Sequence, residues 1–226
     1  MAGAPVAVIT GAAGGIGGGL VSAFRTAGYE VVAVDRTGGD GVRALDITDT
    51  TAVTAFAATL PRLDVLVNAA GVLNRQAEFD PETFQKTLDV NLTGTLRLCT
   101  AFRDLLARSK GCIVNVASMY TIFGAPHAPG YAASKGGVGQ LTKSLAVAWA
   151  KDGIRVNAIA PGWIETAMTV VARSDETRNR AILDRTPMGR WGTPQDVAGP
   201  VLFLASDAAR FVTGVILPVD GGYSIT

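Results

Sequence analysis

The stretch Val6-Ala-Val-Ile-Thr-Gly-Ala-Ala-Gly-Gly-Ile-Gly17 is a short β-branched run that breaks into glycine. A strand over 6–9 leads directly to a helix over 15–27, which Gly28 stops. In such a turn Gly11 permits the sharp reversal, Gly15 lets main chain approach a diphosphate, and Gly17 lets helix and strand pack closely. The helix start then offers free N–H groups and a positive dipole end to phosphate. A glycine turn of purely structural use is the alternative. The strand before and the helix after are the context that supports nucleotide binding. The expected contacts are Gly11, Ala13, Gly14, Gly15, Ile16 and Gly17.

Asp35 closes the next apolar run, about 20 residues further on. A carboxylate there accepts hydrogen bonds from ribose hydroxyls and repels a 2′-phosphate, which predicts NAD over NADP. Arg36 is the complication, because an arginine beside it can accept that phosphate.

Beyond this unit, apolar runs alternate with helix-like stretches. Strands are expected over 30–34, 44–47, 63–68, 111–117, 154–159 and 214–219, and helices over 49–59 and 130–151. Residues 81–107 hold one long helix or two. The strands are near-continuous apolar runs, as when both faces of a sheet are covered. The expected fold is α/β, a single-domain Rossmann fold with a doubly wound, seven-stranded parallel sheet and helices on both faces. One connection is odd. Parallel crossovers normally take at least ~10–12 residues. Arg36-Thr-Gly-Gly-Asp-Gly-Val-Arg43 must cross as a loop.

Composition narrows the functions. The chain has 226 residues, 48% hydrophobic, and 27 of them are glycine, about 12% against a usual ~7%. Lys plus Arg is 20 and Asp plus Glu 19, with no basic tract, so no nucleic-acid partner is expected. Cys99 and Cys112 are too few for a disulfide framework and form no zinc motif, so no metal is expected. The first ten residues lack a basic n-region, and no apolar run reaches the ~18 residues of a membrane span. A cytoplasmic protein is expected.

Tyr131-Ala-Ala-Ser-Lys135 places a phenol and an ammonium four residues apart, on one face of a helix. Alone, that pair usually means nothing. Together with Thr10–Gly17, Asn68-Ala-Ala-Gly71, Asn91, Ser118 thirteen residues before Tyr131, and Pro161-Gly162, it resembles the short-chain dehydrogenase/reductase family over nearly the whole chain. Alcohol oxidation needs a base within hydrogen-bond reach and a pKa near working pH. A phenol is unperturbed near ~10, and a nearby cation favours its phenolate. Lys135 is therefore expected to lower the Tyr131 pKa.

The resemblance implies further roles. Lys135 would bind the nicotinamide ribose, Ser118 would hold the substrate oxygen, and Asn91 would hold a water linking Lys135 to solvent. Asp46 and Ile47 would meet the adenine. Asn68, Ala69, Ala70 and Gly71 would line the adenosine ribose and diphosphate. Pro161, Gly162, Ile164 and Thr166 would flank the nicotinamide. Tyr120 is a rival phenol without a lysine four residues on, Ser134 reads as structural, and His127 as an exposed loop residue or a pocket wall.

Residues 163–192 form the expected substrate lid. Parts of the chain resemble sugar-acid and polyol dehydrogenases of the family. The short connection after Asp35 resembles the type that makes 2,3-dihydroxybenzoate, and Pro161–Thr166 resembles 3-oxoacyl carrier-protein reductases. The substrate is expected to be a small polar secondary alcohol or its ketone. Val219-Asp-Gly-Gly222 resembles the family's subunit contact, which implies a homotetramer. A sensor that binds dinucleotide without turnover is the alternative from another class, although such proteins typically lose the Tyr or Lys.

Overall fold

Alternate residues of each strand feed two different cores. In β1 (Val6–Thr10), Ala7 and Ile9 enter one apolar cluster and Val8 the other. In β4 (Val65–Asn68), Val65 and Val67 side with Ala7, and Leu66 with Val8. A strand buried on both faces must be apolar at every position, which explains the unbroken runs. The computed structural model describes residues 3–226. Met1 and Ala2, part of the N-terminus expected not to be a signal, lie outside the described residues.

The other strands are β2 (Glu30–Asp35), β3 (Val42–Ala44), β5 (Cys112–Val116), β6 (Arg155–Pro161) and β7 (Ile216–Val219). All pair in parallel, in the order β3-β2-β1-β4-β5-β6-β7. One face carries α1 (Gly15–Thr26) and α8 (Pro194–Ala205) through Leu20, Phe24, Val197 and Leu204. The other carries α2 (Thr50–Ala58), α4 (Gly94–Ser109) and α5 (Pro129–Trp149) through Val53, Phe102, Leu106 and Trp149. The strand order reverses between β1 and β4, so a crevice opens beyond their C-terminal ends, where such sheets bind ligands.

The third strand and a late helix differ from expectation, whereas the short crossover and residues 81–107 fall within it. The third strand is Val42–Ala44, not 44–47, because Leu45 ends the pairing with a bond to the Asp35 carbonyl and Asp46 then folds onto Thr48. Residues 36–41 do cross as a loop. Gly39 and Val42 exchange both main-chain hydrogen bonds (3.1 and 3.0 Å), a tight turn that replaces the usual helix. Residues 81–107 resolve into α3 (Pro81–Leu88), a π-helical turn (Asp89–Thr93) and α4. The unanticipated α8 starts from a capping box between Thr193 and Asp196. No helix among the described residues is long and apolar enough to cross a membrane.

Candidate active site

The glycine turn lies at the mouth of the crevice. Gly11 has φ +69°, and a Cβ there would come within 2.8 Å of the Ala69 carbonyl oxygen. Only glycine lets these two loops touch. The Ala69 and Ala70 N–H groups both donate to Thr10 Oγ1 at 3.2 Å, which ties the β4 end to the turn. No side chain caps the start of α1, and the space beside Gly14 is open. Gly15 has φ +57° and faces Thr166, so the turn and the segment after β6 form opposite walls.

Asp35 ends β2 beside this turn, and its Oδ2 accepts from Ala13 N–H at 3.1 Å. Arg36 is exposed next to it. Asp46 is exposed, and hydrogen bonds from the Thr48 backbone and hydroxyl hold its pKa below the usual value. Ile47 is buried against Gly94. Asn68 ends β4 beside the same turn. Its side-chain Nδ2 donates to Asn115 Oδ1 (2.9 Å) and Cys99 Sγ (3.3 Å), while its Oδ1 has no partner among the described residues.

The four expected catalytic residues converge on the other side of the crevice. Ser118 follows β5, and Tyr131 and Lys135 share a face of α5. The Lys135 ammonium donates to the Val116 carbonyl at 2.6 Å and lies 5.6 Å from the Tyr131 ring centre. Burial pushes Lys135 down to about 8 and Tyr131 up to about 12. The Ser118 hydroxyl opposes the rise at Tyr131; Tyr120 and Glu78 add to it. Lys135 is not among the influences on Tyr131, whose rise is set by burial. In the chain by itself, desolvation outweighs every favourable neighbour.

Asn91 sits in the π-helical turn, fully buried. Its Oδ1 accepts from Val72 N–H (2.8 Å), and its Nδ2 donates to the Val72 carbonyl (2.9 Å) and Ser134 Oγ (3.0 Å). Ser134 in turn donates to the Tyr131 carbonyl at 2.7 Å. A cavity of about 640 Å³ joins Ile16, Ser118, Tyr131, Pro161, Gly162, Ile164 and Thr166. Tyr120, His127, Trp163, Arg178 and Tyr223 line its outer part.

A family profile described as enoyl-(acyl carrier protein) reductase matches residues 11–224. A 2-dehydro-3-deoxy-D-gluconate 5-dehydrogenase of Pseudoalteromonas atlantica is 42% identical over 241 residues, covering 96% of this chain and 95% of its own. A galactitol 2-dehydrogenase (L-tagatose-forming) of Cereibacter sphaeroides is 42% identical over 240 residues, covering 97% and 94%. The crystal structure of a gluconate 5-dehydrogenase from Burkholderia cenocepacia, with NADP and tartrate, has a TM-score of 0.93 at 31% identity, covering 100% and 97%. The chain belongs to the short-chain dehydrogenase/reductase family.

This short-chain dehydrogenase/reductase is therefore an oxidoreductase that acts on CH–OH groups with a nicotinamide dinucleotide. The open start of α1 and the cradle at Gly11 fit the diphosphate of such a cofactor. One residue of the site escaped the sequence reading. Glu78 is 1% exposed and accepts from Asn74 N–H (2.8 Å), the Thr87 hydroxyl (3.5 Å) and Tyr131 N–H (2.8 Å). A buried carboxylate needs such partners, and here they include the start of the Tyr131 helix. In sequence it lies in a polar stretch that reads as surface.

Proposed function

We propose that this dehydrogenase interconverts a sugar acid or polyol with its keto form, with Tyr131 as the general acid/base. The observation that carries this reading is that Ser118 and Tyr131 line one cavity that also reaches Ile16 of the glycine turn, with the Lys135 ammonium 5.6 Å from the Tyr131 ring centre behind it. Ser118 holds the substrate oxygen, and Tyr131 takes its proton in oxidation or returns it in reduction. Lys135 binds the nicotinamide ribose and keeps a positive charge beside the ring of Tyr131. When bound, the nicotinamide exchanges the hydride and, in its oxidised form, adds positive charge that favours the phenolate. The Asn91 donors are engaged by Val72 and Ser134. Its support of a proton relay is then through a remaining lone pair of Oδ1, and through Ser134 it fixes Tyr131.

Gly11, Ala13, Gly14, Gly15, Ile16 and Gly17 hold the diphosphate, Asp46 and Ile47 the adenine, and residues 68–71 the adenosine side. Pro161, Gly162, Ile164 and Thr166 flank the nicotinamide. NAD is the proposed cofactor, because a carboxylate at the end of β2, here Asp35, would repel a 2′-phosphate. Exposed Arg36 and the NADP in the Burkholderia enzyme favour NADP instead. Residues 163–192 close over the substrate, and the active form is a homotetramer.

The test is NADH formation over a panel of sugar acids, polyols, cyclic alcohols and 3-hydroxyacyl thioesters, with Tyr131→Phe beside the wild type. Turnover on acids or polyols that drops about 100-fold or more in the variant, with NADH binding kept, supports the reading. Equal turnover by the variant removes Tyr131 from its role. NADH binding without turnover of any alcohol favours the sensor.

A further inference from the structure

We infer that Arg178 anchors a carboxylate of the substrate, which makes the substrate a sugar acid and not a polyol; this rests on the dehydrogenase reading above. The outer wall of the catalytic cavity carries three arginines, Arg75, Arg178 and Arg185, against a single carboxylate, Asp175. Asp175 is engaged at the start of α7 (Glu176–Arg185), where it accepts from Arg178 N–H at 3.0 Å. Two of the three guanidinium groups are also engaged. Arg75 donates to the Met168 carbonyl at 2.9 Å. Arg185 stacks 4.3 Å from the Tyr223 ring centre and donates to the backbone oxygen of Thr226 at 3.2 Å.

Arg178 is different. Its side chain is half-buried, yet its guanidinium has no hydrogen-bond or ion-pair partner among the described residues. Its carbon lies 5.7 Å from the Trp163 ring centre. Stacking of this kind uses the flat face of a guanidinium and leaves its N–H edges available in the plane. A half-buried, oriented cation with free donors matches the two oxygens of a carboxylate. A polyol offers only neutral hydroxyls to the same edge.

The position suits a chain-length contact. Arg178, Arg75 and Arg185 all exert their positive charge on the Tyr120 hydroxyl. The Tyr120 ring meets the Tyr131 ring edge to face at 6.2 Å. The three arginines, Tyr120 and Tyr131 all line the same cavity, so the cations and the reacting phenol face one shared gap. A substrate oxidised at Tyr131 with its acid group several carbons away would span that gap.

The experiment compares D-gluconate with D-glucitol, an acid and a polyol of equal chain length, on wild type, Arg178→Gln, Arg178→Lys and Arg75→Gln. NADH binding and melting temperature confirm that each variant is folded. In Arg178→Gln the acid-to-polyol ratio of kcat/KM is expected to fall about 10- to 100-fold, through KM for the acid. Arg178→Lys, which keeps the charge without the planar fork, should recover part of the loss. An unmoved ratio in Arg178→Gln, a loss confined to Arg75→Gln, or a wild type that oxidises only the polyol overturns the proposal. A wild type that oxidises no sugar acid or polyol, while turning over a cyclic alcohol or a 3-hydroxyacyl thioester of the panel, overturns the substrate class itself.

Discussion

The Lys135 ammonium lies over the Tyr131 ring, 5.6 Å from its centre, while its proton goes to the Val116 carbonyl at 2.6 Å. Two groups of opposite titration habit are thus buried together, and burial moves each away from its charged form. With Tyr131 pushed up to about 12, the chain alone holds a neutral phenol at working pH. A spectrophotometric titration of tyrosinate, taken as wild type minus Tyr131→Phe, should show this phenol ionising only in strong alkali. Oxidised dinucleotide should bring the ionisation down. Identical titrations with and without NAD would exclude charge on the nicotinamide as the activating influence.

Lys135 carries a stability signature of its own. Its folded pKa of about 8 lies below the unfolded value of 10.5. Between the two the unfolded chain holds more protons, so stability should rise with pH over that window. Below pH 8 both states are protonated and the buried charge costs on the order of 3 kcal/mol. Lys135→Met should flatten the rise in urea midpoint between pH 8 and 10 and weaken dinucleotide binding. A slope equal to that of wild type would place the titrating group elsewhere.

Glu78 gives a third test. Glu78→Gln removes a charge that raises the Tyr131 pKa and turns one of its three accepted bonds against a donor. The expected outcome is a stability loss of about 1–3 kcal/mol and a rate profile displaced to lower pH. Glu78→Asp should restore the profile at least partly. A stability loss with the pH profile unmoved assigns Glu78 to structure alone.

Asp35→Ala should lower the ratio of NADH to NADPH affinity, because it removes the repulsion of a 2′-phosphate and leaves Arg36 in place. The same variant frees Ala13 N–H, which Asp35 Oδ2 now accepts at 3.1 Å. Equilibrium binding of both dinucleotides decides it, and an unchanged ratio removes Asp35 from cofactor choice.

Much of this was legible in the sequence, for physical reasons. Strands covered on both faces cannot hide, since Val8 and Ile9 must both be apolar to serve opposite cores. The catalytic face of α5 followed from the helical period that sets Lys135 four residues after Tyr131. What was not legible depends on long-range contacts. Nothing local shows that Glu78 is buried, because its partner Tyr131 N–H lies 53 residues away. Nor does anything local show that the Asn68 amide nitrogen is held by Asn115, 47 residues on. The sign of the Tyr131 shift depends on burial that spacing cannot supply. The third strand was misplaced because Val42–Ala44 is short and exposed at the sheet edge.

The π-helical turn at Asp89–Thr93 acts as a phase setter. Each residue of a regular helix advances its direction by about 100°. Removing one residue between 89 and 93 would rotate everything after it by that angle. Leu98, Phe102 and Leu106, now fully buried, would swing off the sheet and toward water. The wide turn is thus a timing element between two registers. Within its own span it aims Asn91 at Val72 and Ser134, and downstream it aims the apolar stripe of α4 at the core.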